Sequence, residues 1–206
     1  MSKAFTVMID PGHGGADPGA TANHPVEAAI NLAVARRLRE VLEAEGHAVV
    51  LTRHADVTRS LGERVRLEHQ ERPDLFLSLH CNAAANVAAS GIEVWTSPGD
   101  SPADPAATAI FRAVCQAFPE RRVRTDYSDG DPDKEARFHV LVKTLGPAVL
   151  LEMGFVTNDE ERAWLLKPSV QRRMAMAIAA GILAWSIDDH HARIDQIRAS
   201  HGEPRC

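Results

Sequence analysis

The chain has 206 residues, a length that fits one domain or one domain with a short appendage. Hydrophobic residues make up 45% and charged residues 25%, proportions that leave no case for a disordered, collagen-like or coiled-coil chain. Lys+Arg 23 against Asp+Glu 28 gives a net charge of −5, which excludes a field that would draw nucleic acid or an anionic membrane surface.

The N-terminus, MSKAFTVMID, holds one lysine and an apolar run that Asp10 ends too early for the apolar region of a signal peptide. The expectation is synthesis in the cytoplasm without a signal peptide. No stretch reaches the roughly 18 to 20 apolar residues of a membrane span, so no stable membrane insertion is expected. Cys81, Cys115 and Cys206 are widely spaced and form no CxxC, which argues against both a disulfide framework and a thiolate zinc cage.

Phe5 to Ile9 reads as a buried first strand that empties into the glycine-rich turn DPGHGGADPGA. From Val26 to Glu45, Ile30, Val34, Leu38, Val41 and Leu42 recur at spacings of three and four and Gly46 follows as a stop, the pattern of an amphipathic helix. Ala48 to Leu51 is a second apolar run, Leu61 to Glu71 is helical in pattern, and Leu75 to Leu79 is a third run ending at His80. IEVWT after Gly91 reads as a strand, Ala106 to Phe118 as a helix, Phe138 to Leu141 as a short strand and Ala148 to Met153 as a central strand.

Two helical stretches close the core, Asp159 to Leu166 and Ser169 to Ile187, the second set off by Pro168. Ser97 to Pro105 and the acidic Thr125 to Lys134 read as surface loops. His190 to Cys206 loses periodicity and carries three histidines, so a short helix fraying into a tail is expected, with the domain itself at 1–188 and the tail at 189–206. Alternation of this kind predicts a single α/β domain with a mostly parallel twisted sheet of about six strands and helices on both faces.

In such sheets ligands collect outside the carboxyl ends of the strands. His13 follows the first strand, His80 ends the third run, and Glu152 closes the apolar run AVLL, so all three can converge on one cleft. Glu27, at the start of the first long helix, adds a carboxylate to two imidazoles and completes the three-ligand set of a catalytic zinc site. Glu152 then has the chemistry of a general base that takes a proton from water and passes it to a leaving amine. His24 lies in the same loop region and reads as exposed or as a neighbour of the ligands. Cys81 points to the opposite face from His80 and reads as buried. The glycines around His13 form no GxxxxGK[ST] or GxGxxG and read as permitting close approach to a metal rather than cradling phosphate.

The runs MIDPGHGGADPGA, Glu27 followed by AAINLAVARRL, LSLHCNAA, and ARFHVLVKTLGPAVLLEMGFVTNDEE resemble, in this order, the signatures of zinc-dependent N-acetylmuramoyl-L-alanine amidases of the amidase-3 family. The resemblance spans about residues 5 to 185. It implies that His13, Glu27 and His80 bind Zn2+ and that Glu152 is the catalytic glutamate. The implied reaction is hydrolysis of the amide between the lactyl group of N-acetylmuramic acid and L-alanine in peptidoglycan.

Asn82 matches a family asparagine with a role toward ligand or substrate. Many members carry a basic residue where Val142 stands, so Lys143 is the substrate-binding cation that the resemblance suggests here. The short interval between the strands at Ile92 and Phe138 leaves no room for the long inhibitory helix of some relatives. Two alternatives stay open: a zinc peptidase or amidohydrolase acting on another N-acyl amide, and a catalytically silent wall-binding protein. The expected setting is a monomer, resembling a phage or prophage endolysin, that acts on the cell wall after release by a membrane-permeabilising partner.

Overall fold

A computed structural model describes residues 4–20 and 26–200, with residues 188–200 described by their backbone alone. His24 and the side chains of His190, His191, His201 and Cys206 therefore lie outside the described residues. The elements run β1 (Thr6–Pro11), α1 (Glu27–Ala44), β2 (Ala48–Leu51), α2 (Leu61–Glu71), β3 (Leu75–Asn82), β4 (Glu93–Thr96), α3 (Asp104–Ala117), β5 (Lys134–Glu135), α4 (His139–Lys143), β6 (Ala148–Phe155), α5 (Asp159–Leu165) and α6 (Pro168–Ser200).

One six-stranded sheet has the order β2-β1-β3-β6-β4-β5. Strands β2, β1, β3 and β6 are parallel, while β4 pairs antiparallel with β6 and β5 runs parallel to β4. The expected single α/β domain is what the chain forms, with the two strands at one edge reversed. Because β1 has β2 on one side and β3 on the other, the chain changes winding direction there, and a crevice opens beyond the carboxyl ends of β1 and β3.

The pleat sorts side chains into two cores. Val7, Ile9, Leu75, Leu77, Val149 and Leu151 face one way and pack with α1, α3 and α6 into the larger core. Met8, Phe76 and Leu150 face the other way and meet Val140 and Leu141 of α4 and the partly buried Leu67 of α2. Covered on both faces, β1 and β3 read as continuous apolar runs rather than alternating ones. On α1, Ile30, Val34, Leu38 and Leu42 form the buried stripe that its spacing predicts. Where α6 crosses α3, a Cβ on Gly181 would stand 2.5 Å from the Ile110 Cα, so the two backbones touch with no side chain between them.

Four expectations are corrected. Phe138 to Leu141 is not a strand: an extended Phe138 leads into the helix α4, and the Thr144 hydroxyl donates to the Val140 carbonyl at 2.9 Å. A four-residue stretch carries no period able to separate strand from helix, and β6 already has β3 and β4 on its two sides. The segment expected as loop ends in a two-residue strand, β5, whose charged residues suit a sheet edge. Strand β3 does not stop at Leu79 but runs to Asn82, with an irregularity between His80 and Asn82. No separate short helix begins near His190, because α6 continues unbroken to Ser200.

Candidate active site

The first turn after β1 brings backbone and ligand-type side chains unusually close. A Cβ on Gly12 would lie 2.2 Å from the His80 ring, so only glycine lets the loop pass there. His13 itself sits at φ 61, a left-handed conformation that turns its imidazole back over the strand ends. On the other side, Glu27 opens α1 without a side-chain cap, and its carboxylate is buried at 2% exposure.

Glu27 Oε1 lies 3.2 Å from His13 Nε2 and 3.1 Å from His80 Nδ1, and it accepts the Cys81 backbone N–H at 3.1 Å. Its Oε2 accepts from the Ala20 N–H at 2.7 Å. The imidazoles of His13 and His80 stand nearly perpendicular, with centroids 4.9 Å apart. One donor atom from each of His13, Glu27 and His80 falls within 4.8 Å of the others.

Burial alone would raise the Glu27 carboxyl, but the hydrogen-bonding imidazoles of His13 and His80 reverse this and hold it well below the usual carboxylate range. The same contact with Glu27, working against burial, pushes His13 up to about 9. Asp17 Oδ2, 2.8 Å from His13 Nδ1, orients the ring from its other nitrogen. Cys81 is buried, with its sulfur 3.5 Å from Asn31 Oδ1 and turned away from the imidazoles, as expected.

Glu152 stands on β6 in register with His80 of β3 and Glu93 of β4. Its Oε2 is a buried oxygen with no hydrogen-bond partner among the described residues. Burial pushes its carboxyl up to about 7 even though the charge of His80 pulls the other way. Glu152, His13 and His80 all line a cleft of about 470 Å³ whose walls include Phe138, His139 and Arg59. Among the described residues, α3 is the only helix between β4 and β5; it packs on α6 and contributes nothing to the cleft lining.

The two residues expected to touch substrate are placed differently. Asn82 donates its amide to Glu93, which also accepts from Arg124 at 2.9 Å and Lys134 at 3.0 Å. Lys143 ends α4, where its carbonyl meets His69 Nε2 at 2.8 Å, and it is not among the residues lining the cleft. Neither residue is brought to the His13, Glu27 and His80 group.

Sequence reasoning missed the supports of the His13 loop. Asp10, 1% exposed, accepts from Arg64, from the Thr52 hydroxyl at 2.5 Å and from the Ser78 hydroxyl at 2.8 Å. Arg64 also donates to the carbonyls of Pro11 and His13, both at 2.9 Å. Arg53 donates to the carbonyls of Pro11 at 2.9 Å, Gly12 at 3.0 Å and Ala28 at 2.7 Å. The signal was present: a charged Asp10 closing the run TVMI demands a partner.

Fold and site together define an α/β domain that gathers two imidazoles and a carboxylate at the carboxyl ends of β1 and β3, beside a raised carboxyl. The model of the N-acetylmuramoyl-L-alanine amidase family, Amidase_3, matches residues 7–184, and the chain belongs to that family. It is 39% identical over 195 residues to the N-acetylmuramoyl-L-alanine amidase CwlM of Bacillus licheniformis, covering 93% of this chain and 73% of the relative. It is 33% identical over 180 residues to the N-acetylmuramoyl-L-alanine amidase LytC of Bacillus subtilis, covering 87% of this chain but only 35% of that longer protein. Among solved structures it superposes on the N-acetylmuramoyl-L-alanine amidase AmiC2 of Nostoc punctiforme with a TM-score of 0.80 at 33% identity, covering 90% of this chain and 98% of that one.

Proposed function

We propose that the protein hydrolyses the amide between the lactyl group of N-acetylmuramic acid and L-alanine in peptidoglycan, with zinc held by His13, Glu27 and His80 and with Glu152 moving the protons. The observation that carries this reading is a single oxygen, Glu27 Oε1, within 3.2 Å of imidazole nitrogens of both His13 and His80, whose rings line a cleft together with Glu152, a side chain with one buried and unpartnered oxygen. The donor set fits: two imidazoles and one carboxylate make the three-ligand complement of a catalytic zinc, and the nearby sulfur of Cys81 is turned away. Zinc, when bound, lowers the pKa of a water to about 7 and polarises a carbonyl oxygen.

The remaining chemistry belongs to the chain. Burial raises the Glu152 carboxyl above its ordinary range in the metal-free protein, and a nearby cation would draw it back down, so the group can accept the proton of the attacking water and then donate it to the departing L-alanine nitrogen. Arg64 and Arg53 fix the carbonyls of residues 11 to 13, which holds the His13 imidazole in place, and Asp17 sets its ring orientation. Phe138 and Leu150 offer apolar contact to the substrate, and Arg59 offers a cation to an acidic stem peptide. Asn82 serves by holding Glu93, the cross-strand neighbour of Glu152.

The test is mass spectrometry of purified peptidoglycan digested with zinc, beside an EDTA-treated control. Metal-dependent release of intact stem peptides with a free L-alanine amino terminus is expected. Release of other fragments would move the scissile bond and favour the peptidase or amidohydrolase alternative. No release would favour a silent wall-binding protein.

A further inference from the structure

At the sheet edge formed by β4 and β5, the acidic segment 126–135 meets the start of α3. Asp104, Asp131 and Asp133 each bring a carboxylate oxygen to this junction, and the three oxygens lie within 4.8 Å of one another. Asp133 is 1% exposed and aimed into the group: its Oδ2 accepts the Thr96 hydroxyl at 2.6 Å, while its Oδ1 is buried with no hydrogen-bond partner among the described residues. Asp104 repeats the pattern, with Oδ2 accepting the Ser101 N–H at 2.9 Å and a buried Oδ1 that has no partner.

Among the described residues, nothing basic pairs with these charges, and the adjacent Lys134 is committed to Glu93 at 3.0 Å. Burial first, then the neighbouring carboxyl of Asp131, push Asp133 up to about 8, and burial raises Asp104 as well. A buried carboxylate that meets two half-buried ones in this way needs either a proton or a metal cation. The loop is also shaped to hold them: Asp131 Oδ1 accepts the Asp133 N–H at 3.1 Å, locking the two side chains into one turn. A cavity of about 320 Å³ is lined by Asp126, Ser128, Asp129, Asp133 and Glu135, so Asp133 stands between it and the other two carboxylates in a wall of oxygen-bearing side chains.

We propose that Asp104, Asp131 and Asp133 form a second cation site, separate from the His13, Glu27 and His80 group, which takes a hard divalent cation of calcium's class and braces β5 against β4. The donors are all oxygen, with no imidazole or thiol among them, which suits calcium rather than zinc. Calcium tolerates six to eight oxygen ligands in irregular geometry, whereas magnesium demands a near-ideal octahedron. The brace reaches the cleft by a short path. Lys134, next to Asp133, stacks over Trp95 at 4.5 Å, and Trp95 meets Phe138 of the cleft wall edge-on at 5.4 Å.

The experiment is thermal unfolding of the full chain carrying its active-site metal, with CaCl2, MgCl2 and NaCl matched for ionic strength. Calcium is expected to raise Tm with a midpoint on the order of 10⁻⁴ to 10⁻³ M, and by about 5–10 °C at a hundredfold excess over Kd, with magnesium weaker. Asp131→Asn keeps an oxygen to accept the Asp133 N–H but removes a charge, and is expected to weaken the calcium midpoint at least about tenfold. A wild-type Tm indifferent to calcium overturns the proposal, and a higher Tm for Asp133→Asn in calcium-free buffer at pH 8 would then assign a proton to the cluster. An Asp131→Asn variant that responds to calcium as the wild type does overturns it equally.

Discussion

Glu152→Gln separates what the carboxyl does for the reaction from what it costs the fold. Glu152 titrates at about 7 in place of 4.5 because burial disfavours its ionised form and leaves Oε2 without a partner. The folded state then holds a proton more tightly than the unfolded chain does, so stability is fully present below pH 4.5 and falls as pH rises to 7. At about 1.4 kcal/mol for each pH unit of displacement, the ionised carboxylate costs the metal-free protein about 3 kcal/mol above pH 7. Glutamine has the same shape and no charge to desolvate. In EDTA the variant is expected to melt about 6–12 °C above the wild type at pH 8, with a small difference at pH 4.5. Hydrolysis is expected to fall by about 10²–10⁴ while bound zinc, measured by plasma mass spectrometry, is retained. An equal melting difference at both pH values would refute the burial argument, and loss of zinc would make Glu152 a ligand.

His13→Ala or His80→Ala is expected to lose both zinc and hydrolysis, since each removes one of three donors; retained zinc in either would dissolve the proposed site. In the metal-free protein His13 titrates at about 9, so zinc binding at pH 7 displaces its proton, and the apparent zinc affinity should rise about tenfold per pH unit up to about 9 in competition titrations. Arg64→Met strands the buried Asp10 carboxylate and should cost about 3–5 kcal/mol in urea unfolding, partly offset by the hydroxyls of Thr52 and Ser78. Gly181→Ala forces α6 from α3 at the Ile110 backbone and should cost about 1–3 kcal/mol, while zinc content stays unchanged because the contact is remote from the cleft.

How much of this was legible in the chain follows from which residues break a local rule. His80 and Glu152 interrupt or end apolar runs, so burial made them conspicuous without any partner being known. The alternation of strands and helices carried the layer architecture, because both faces of β1 and β3 are covered and their sequences say so. The reversal of β4 and β5 was not legible, since a strand's pattern encodes which face is buried and not which way it runs. Helix α4 failed for lack of length. Arg64 lies on a helix whose composition looks ordinary; its role depends on Asp10, 54 residues away, and only tertiary packing joins them.

Glu27 shows why a site of this kind needs more than its ligand residues. A first-turn carboxylate at a helix start is ordinarily solvated and favoured by the helix dipole. Here it is buried, and what keeps it ionised is the pair of imidazoles with the N–H groups of Ala20 and Cys81. Those donors are in place only because Gly12 lets the β1 turn lie against His80, while Gly19, with no room for a Cβ beside Glu27 Oε2, brings the loop down over the carboxylate. The glycines, the buried arginines and Asp10 therefore set the ligand geometry as directly as the histidines do. Changing any of them should move donor atoms by fractions of an ångström, enough to weaken metal binding while every ligand is still present.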